Sequence, residues 1–311
     1  MILIITEEAD YSSSMVINWL LYYRINFIRI NENDELHVEC LLNDFRITNN
    51  SFNFLLSEIK GMWYRRGFLN IKIEKSENEI INNFKKAEFA KLKQYIYYKL
   101  SLLPNINSFT NSDVNKLVVN DIASEIGIIT PQEYILSSKD ELLLLDDLSQ
   151  YATKSISGSA ILDFGNFYTI GYTSLLNITE EYSKFFFPSL IQKYIKKKYE
   201  LRIFFLHDQF YTMAIFSQRD ETTRVDFRNY NRKNPNRNVP FELPIEIKVK
   251  LINLMNRLKL NSGSIDMIVT PNNEYVFLEV NPIGQYGMVS VPCNYYLDMK
   301  IANFFKNNTY E

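Results

Sequence analysis

The sequence is poor in the residues that build zinc sites and disulfide frameworks. Its 311 residues include two cysteines, Cys40 and Cys293, and two histidines. With no Cys/His cluster we expect no zinc site, and two cysteines so far apart indicate a reduced compartment. No apolar run reaches the roughly 18 residues of a membrane span. The apolar N-terminus lacks the basic start of an export signal and predicts a first buried strand. We therefore expect a cytoplasmic, soluble protein with no membrane partner.

Strong charge of one sign and the common nucleotide-binding motifs are also missing. The 34 Lys and Arg residues nearly balance the 36 Asp and Glu residues, so charge gives no case for a nucleic-acid partner. Neither G-x-x-x-x-G-K-[ST] nor G-x-G-x-x-G occurs, so P-loop and Rossmann sites lack their anchors. Aromatic residues are abundant, with 22 Phe and 21 Tyr, and 46% of the chain is hydrophobic. Such a composition supports folded cores in two or three domains.

The patterns along the chain predict an α/β protein of three domains. Apolar residues have helical spacing over 77–102, before an Asn/Ser/Thr-rich boundary. Asp113 is the predicted cap of a helix over 114–126, which opens the second domain. The third domain contains alternating strands, a helix over 244–258 and a closing helix over 295–305. The predicted domains are residues 1–110, 111–195 and 196–311.

Three polar residues interrupt apolar, strand-like runs near the C-terminus: Asp266, Glu279 and Asn281. Residues 264–269 and 275–281 predict two strands joined by a turn. Side chains alternate along a strand, so Glu279 and Asn281 must share a face, and one register also places Asp266 beside them. Such oxygen donors suit magnesium bound with nucleotide phosphates. The alternative is a set of solvent-facing positions on an ordinary hairpin, which we disfavour because carboxylates among large apolar residues are costly to bury unpaired.

Two lysines and an acid–base pair occupy informative positions. Lys116 falls in the first turn of a predicted helix, where the helix dipole disfavours a cation unless an anionic ligand is near. Lys154 precedes a Gly/Ser loop, whose backbone N–H groups could approach phosphates. For each lysine the alternative is an ordinary exposed side chain. Glu200 and Arg202 predict either a surface ion pair or contacts to ribose hydroxyls and phosphate oxygens.

The order of these features resembles the ATP-grasp superfamily over about residues 113–282. Within it the details look like the grasp-with-SPASM and microviridin-type (graspetide) peptide maturases. The resemblance implies an ATP-grasp fold with an N-terminal α/β domain, a central lid domain and a C-terminal domain that carries the metal. The strings that carry the resemblance are Met62-Trp63-Tyr64-Arg65-Arg66, Glu200-Leu201-Arg202-Ile203-Phe204-Phe205, Asp226-Phe227-Arg228, Ser262-Gly263-Ser264-Ile265-Asp266 and Phe277-Leu278-Glu279-Val280-Asn281-Pro282-Ile283-Gly284-Gln285.

The resemblance implies a role for each of these residues in binding ATP and magnesium. Phosphates would contact Lys116, Lys154 and Arg202, and ribose would contact Glu200. Two Mg²⁺ ions would be held by Asp266, Glu279 and Asn281. The hinge that contacts adenine through its backbone would be Gln192, Lys193, Tyr194 and Ile195. Gln192 departs from the commoner acidic start of this hinge, which matters little if its contribution is made by the backbone.

Arginines beyond the nucleotide site are implied for the incoming substrate, because a carboxylate is repelled by ATP. We expect Arg228 and Arg65 to hold the substrate carboxylate and Arg237 to hold phosphate. Asp226 could orient Arg228 or bind the leader of the peptide. The alternative for Arg65 and its neighbour Arg66 is a solvated strand end.

The implied reaction activates a side-chain carboxylate of a peptide as an acyl phosphate, which a hydroxyl or amine then attacks. The substrate would be a ribosomal precursor peptide with a leader and a core, and the product an intramolecular ester or amide crosslink. A SPASM-domain radical enzyme in the same pathway and a homodimer are further implied partners. The alternatives are a RimK-like ligase that adds amino acids, and a non-catalytic, nucleotide-regulated peptide-binding protein.

The sequence does not assign the surface on which the leader docks. Aromatic and basic residues near the hinge would suit it, namely residues 185–187, Tyr194 and residues 196–198. For the Phe triplet at 185–187, a place in the core is the favoured interpretation.

Overall fold

A computed structural model describes residues 1–157, 161–171, 173–176, 183–218 and 235–309. The chain divides into two compact units. One comprises Met1–Asp113 together with Gln285–Glu311, and the other comprises Val114–Gly284. Residues after Gly284, predicted as the end of the third domain, therefore group with the N-terminal residues. The division into three domains stays a prediction.

The N-terminal part of the first unit contains two sheets and two helices. One sheet is parallel, with strand order β2-β1-β6-β8, and the other has the order β5-β4-β3-β7. All five residues of β1 are buried, as expected for a strand at the centre of a parallel sheet, and this confirms the buried first strand. The elements are β1 (Ile2–Thr6), α1 (Tyr11–Tyr22), β2 (Phe27–Asn31), β3 (Glu35–Cys40), β4 (Phe45–Thr48), β5 (Asn53–Leu55), β6 (Gly61–Tyr64), β7 (Asn70–Ile71), α2 (Glu79–Ser101) and β8 (Asn105–Ile106).

The second unit is built on two antiparallel sheets and a separate hairpin, β11–β12. The central sheet has the order β13-β10-β14-β9, and the C-terminal sheet has the order β17-β16-β15-β18-β19. The elements are α3 (Lys116–Glu125), β9 (Glu133–Ser138), α4 (Lys139–Leu142), β10 (Tyr151–Lys154), β11 (Ile161–Asp163), β12 (Tyr168–Ile170), β13 (Ser174–Leu175), β14 (Phe185–Lys193), β15 (Tyr199–Leu206), β16 (Gln209–Phe216), β17 (Arg237–Phe241), α5 (Ile245–Arg257), β18 (Ser262–Val269) and β19 (Tyr275–Asn281).

Alternation along β15 separates the core of the second unit from its polar face. Leu201, Ile203 and Phe205 pack into a core formed with residues of α3, α5, β18 and β19. Successive side chains of a strand point to opposite faces, so Glu200 and Arg202 lie on the other face of the same sheet. The C-terminal sheet thus buries one face in the core and presents charged side chains on the other.

The start of α3 corrects one detail of the sequence analysis. Asp113 was predicted as the helix cap, but Asn115 takes this position, and its side-chain oxygen accepts from the backbone N–H of Leu117 at 3.0 Å. An Asn at this position satisfies a backbone donor that the first turn leaves without an acceptor. Lys116 is therefore the first residue of the helix, within the first turn as predicted.

Two helices close the chain and belong with the first unit: α6 (Gly287–Ser290) and α7 (Leu297–Thr309). The predicted closing helix over 295–305 is confirmed with shifted ends. Leu297, Ile301, Ala302 and Phe305 form the buried side of α7, which packs against α1. Within the described part of the chain, no helix is both long and apolar enough to cross a membrane.

Candidate active site

The hairpin of β18 and β19 places two carboxylates directly opposite one another. Asp266 pairs in register with Glu279, and Ser264 pairs with Asn281. The Nδ2 of Asn281 donates to Oε1 of Glu279 at 3.3 Å, so the three oxygen-bearing side chains are neighbours, as the strand pattern predicted. The pairing shifts immediately after Asp266, where β19 contributes one extra residue. The structure has the register that the sequence analysis considered, whereas its use in metal binding stays a prediction.

Each of these carboxylates faces a cation from another element of the second unit. The Nζ of Lys116 lies 2.5 Å from Oε2 of Glu279. Arg202, the cross-strand partner of Asp266 on β15, donates through Nη1 to Oδ2 of that residue. The side chain of Arg202 is 11% exposed, so the alternative of a surface ion pair is wrong for this residue. Lys116 is equally enclosed at 11%, which also excludes an ordinary exposed lysine.

Glu200 is held in a buried cluster that the sequence analysis missed. Its Oε1 accepts from Nζ of Lys197, and its Oε2 accepts from the Ser217 hydroxyl at 2.9 Å. Burial raises the pKa of Glu200, although the neighbouring Lys197 and the hydrogen bond from Ser217 oppose this shift. Lys197 belongs to a run of three lysines that was considered for the leader-docking surface, yet its side chain is 1% exposed. The position of Glu200 in the second unit therefore depends on a buried cation.

The central sheet contributes a second cluster, centred on Glu133 of β9. Its Oε1 lies 3.9 Å from Nζ of Lys154 and accepts from Nε2 of Gln192, and its Oε2 accepts from Nδ2 of Asn120 at 2.8 Å. The Lys154 side chain is 12% exposed, which again excludes the exposed alternative. The Gln192 side chain is buried and donates to Glu133, while its backbone is paired with Ala152 on one side and with Glu133 on the other. Glu133 and Asn120 carried no signal in the sequence.

The predicted hinge begins with Gln192 and Lys193, the last two residues of β14, and the backbone N–H groups of the hinge differ in their hydrogen bonding. The N–H of Lys193 donates to Gln132 O at 2.8 Å, and that of Tyr194 donates to Gln150 O at 2.7 Å. The N–H of Ile195 makes no backbone hydrogen bond within the described residues. Among the hinge N–H groups, that of Ile195 is therefore the one placed to serve a ligand.

Most of the predicted nucleotide residues line one pocket of the second unit. Both charged side chains and apolar residues such as Ala152 and Met267 line it. This combination suits a ligand with a flat apolar end and an anionic end. The pocket is lined by Lys116, Ala152, Lys154, Ser155, Gly171, Thr173, Gln192, Lys193, Tyr194, Ile195, Lys197, Glu200, Leu201, Asp266, Met267, Ile268, Leu278 and Glu279. Arg202 and Asn281 are not in contact with the pocket, although each touches a carboxylate that is.

The donor set of the hairpin fits magnesium held together with a nucleotide. No group of three or more His, Cys, Asp or Glu side chains that could hold a metal occurs among the described residues. Asp266 and Glu279 supply two carboxylates, and Asn281 supplies an amide oxygen. Magnesium is usually bound through one or two carboxylates plus phosphates, with water in its other positions, so the set suits that arrangement and not an all-protein cage.

Of the arginines predicted to hold the substrate carboxylate or phosphate, the structure describes Arg65 and Arg237. Arg65 belongs to the first unit, where it is 3% exposed, with its Nε 3.5 Å from Asp10 Oδ2 and its guanidinium 6.0 Å from the centre of the Tyr286 ring. The alternative of a solvated strand end is thus wrong for Arg65, although Arg66 is partly exposed. Arg237 lies on β17, over the Phe216 ring. Arg228 and its neighbour Asp226 lie outside the described residues.

The Phe triplet before the hinge is mostly exposed, which corrects the favoured interpretation. Phe185 and Phe187 are 70% and 85% exposed, and Phe186 packs against a small cluster containing Leu142, Tyr151 and Ile191. Consecutive strand residues alternate in direction, so only the middle ring reaches that cluster. A core place is therefore wrong for the outer two rings.

Comparisons with known proteins support the fold through solved structures. No protein-family model matches the chain, and a search of curated proteins finds no match. The macrocyclase MdnC from Microcystis aeruginosa MRC, bound with precursor peptide MdnA, is similar with 25% identity and a TM-score of 0.75, covering 99% of each chain. A RiPP-associated ATP-grasp ligase from Chryseobacterium gregarium, in complex with ADP and a leader and core peptide, has 22% identity and a TM-score of 0.78, over 99% of this chain and 96% of that one.

A third solved structure extends the likeness to a protein with bound metal. The ATP-grasp ligase PsnB, complexed with minimal precursor, Mg and ADP, has 12% identity and a TM-score of 0.69, over 100% of this chain and 98% of that one. Together these neighbours confirm the ATP-grasp fold that the sequence motifs implied.

Proposed function

We propose that this chain, an ATP-dependent carboxylate ligase of the ATP-grasp fold, activates Asp or Glu side chains of a ribosomal precursor peptide and closes intramolecular ester or amide crosslinks. The observation that carries the proposal is the convergence of Lys116, Lys154, the hinge, Glu200 and the two hairpin carboxylates in one pocket. The likeness to MdnC over 99% of both chains supports the same class of peptide substrate.

The pocket suggests how the chain binds ATP. The adenine ring lies in the apolar part of the pocket against the hinge, with Ile195 N–H as a donor. Glu200 accepts the ribose hydroxyls, and Lys197 fixes its carboxylate. Lys116, Lys154 and Arg202 neutralise the phosphates. Asp266, Glu279 and Asn281 hold Mg²⁺, in our proposal two ions, which supply further positive charge on the phosphates.

The reaction has two steps, and the chain mainly orients groups and neutralises charge. A carboxylate oxygen of the peptide attacks the γ-phosphorus of ATP, the bond to the β–γ bridging oxygen breaks, and ADP leaves. A Ser or Thr hydroxyl or a Lys amine then attacks the acyl carbon, loses its proton, and expels phosphate. Arg65 and Arg228 are proposed to hold the incoming carboxylate and Arg237 to hold phosphate, because Arg matches these groups with two parallel hydrogen bonds.

The partners follow from the same proposal. The peptide carries a leader that docks on the ligase and a core that is modified. We further propose a homodimer and a place in the grasp-with-SPASM subgroup, with a SPASM-domain radical enzyme in the same pathway.

The test is to incubate the full chain with ATP, Mg²⁺ and each peptide with an acidic, Thr-rich core that the short open reading frames beside its gene encode. Mass spectrometry should show the loss of one water per link, with matching formation of ADP and phosphate. A RimK-like ligase would add mass to its acceptor instead. A nucleotide-regulated binding protein would bind ATP and peptide without turnover, and either outcome would refute the proposal.

A further inference from the structure

We infer that Glu133 is a positioning residue of the nucleotide site, which fixes the ammonium group of Lys154 for contact with nucleotide phosphates. The inference rests on the proposed function, because it assigns a role next to the same pocket. Glu133 is the first residue of β9, an edge strand of the central sheet.

The strand register alone brings Glu133 to Lys154. Gln192 on β14 is opposite Glu133 on one side and opposite Ala152 on the other. Directly paired residues share a face of the sheet, and so do residues two apart on one strand. Lys154, two residues after Ala152 on β10, therefore projects from the same face as Glu133 and Gln192.

The Glu133 carboxylate is itself held by fixed donors. Nε2 of Gln192 donates to Oε1, and Nδ2 of Asn120 donates to Oε2 at 2.8 Å. The Glu133 side chain is 13% exposed, and Nζ of Lys154 lies 3.9 Å from its Oε1. A carboxylate anchored on both oxygens is a rigid counter-charge for a flexible lysine.

The same carboxylate is tied to the helix that carries the other predicted phosphate ligand. Asn120 lies four residues after Lys116 on α3, a spacing that places both on one side of the helix. Glu133 thus connects α3, β10 and β14, the elements that supply Lys116, Lys154 and the start of the hinge.

The amide at the start of the hinge explains why a separate carboxylate is needed. Gln192 carries no charge and cannot balance the ammonium of Lys154, so Glu133 supplies that balance from the neighbouring strand. Holding a lysine before the ligand arrives lowers the rotamer freedom lost on binding, which favours affinity. Glu133 acts through Lys154 and needs no contact with the nucleotide.

The test uses Glu133→Asp, which keeps the charge and withdraws it by one methylene. Calorimetry on the full chain measures the dissociation constant of ADP with Mg²⁺, in the native background and in Lys154→Met. We expect about tenfold weaker binding in the native background and no further loss in the Lys154→Met background. The matched control is Glu125→Asp on α3, where an exposed carboxylate pairs with Arg257 at 2.6 Å, and its ADP affinity should not change.

The possible results distinguish a positioning role of Glu133 from a purely structural role, and both from a failure of the proposed function. Unchanged ADP affinity in Glu133→Asp would overturn the inference, and an equal loss in both backgrounds would do so by showing a purely structural role. If that variant does not fold, Glu133→Gln serves in the same cycle. The buried Oδ1 of Asn120 has no hydrogen-bond partner among the described residues. If the side-chain amide of Asn120 flips, this oxygen accepts from the amide that the substitution introduces at position 133. Wild type that binds no ADP would overturn the proposed function, and the inference with it.

Discussion

The Lys116 ammonium lies 2.5 Å from the Glu279 carboxylate and joins the start of α3 to the last strand of the C-terminal sheet. Arg202 and Asp266 form a similar pair between β15 and β18. In the proposed function the two cations bind phosphate and the two carboxylates bind Mg²⁺. When phosphate and metal bind together, phosphate takes the cation of each ion pair and the metal takes its carboxylate. Either ligand alone must break the ion pair and leave one of its members without a partner. Metal and nucleotide should therefore bind with strong positive coupling.

Glu279→Gln should weaken the binding of Mg²⁺ and strengthen the metal-free binding of ADP. The change removes a proposed metal ligand and also the charge that competes for Lys116. ATP turnover with Mg²⁺ should fall below detection. ADP measured by calorimetry in EDTA should bind about fivefold more tightly, because Lys116 no longer has to leave a direct ion pair at 2.5 Å. Lys154 lies 3.9 Å from Glu133 and has no such direct pair to break.

The matched control for this variant is Glu274→Gln, at an exposed carboxylate next to β19. It should change neither turnover nor metal-free binding. Full turnover in Glu279→Gln would refute the metal assignment, and unchanged ADP affinity in EDTA would refute the competition with Lys116.

Arg202→Met should destabilise the second unit, and Mg²⁺ should restore part of the loss. The side chains of Arg202 and Asp266 are 11% and 13% exposed, and removing one partner of a buried pair costs about 3 kcal/mol. Urea unfolding measures this cost with and without Mg²⁺, which can replace the lost charge beside Asp266. The control is Arg257→Met, which breaks the exposed pair with Glu125 and should cost less than about 1 kcal/mol. A loss no greater than the control's would show that the pair does not stabilise the fold.

The alternation of polar and apolar residues is local, and it predicted the hairpin, the shared face of Glu279 and Asn281, and the strand that carries Arg202. Partners set by packing between distant segments carried no such signal. Glu133 meets Gln192 across 59 residues of sequence, and only the strand register reveals it. Lys197 was hidden for a different reason. A lysine in a run of three is typical of a solvated surface. Its burial here depends on the carboxylate of Glu200, whose own burial the sequence did not predict.

Glu200 should give the free energy of unfolding a specific pH dependence. Burial raises its pKa above the ordinary value of 4.5, so the folded state holds this proton more tightly than the unfolded state. Stability from this group is present below that value and is lost as the pH rises through the folded pKa. Relative to Glu200→Gln, wild type should therefore lose stability as the pH is raised through that window.

Urea unfolding of both proteins at several pH values measures this difference. The control is Glu125→Gln, since Glu125 is exposed and its replacement should leave the pH dependence as in wild type. A difference between wild type and Glu200→Gln that is flat or rises with pH would show that Lys197 outweighs burial.

Arg228→Ala should separate nucleotide binding from crosslinking. ATP and the incoming peptide carboxylate repel each other, and in the proposed function Arg228 is one of the arginines that hold that carboxylate. ADP affinity by calorimetry should stay within about twofold of wild type, while mass spectrometry should show no loss of water from the peptide. Arg228→Lys keeps the charge but not the two parallel hydrogen bonds, so it should crosslink slowly. Arg224→Ala, four residues earlier in the same segment, is the control and should crosslink at the native rate. Normal crosslinking by Arg228→Ala would remove this residue from the substrate site.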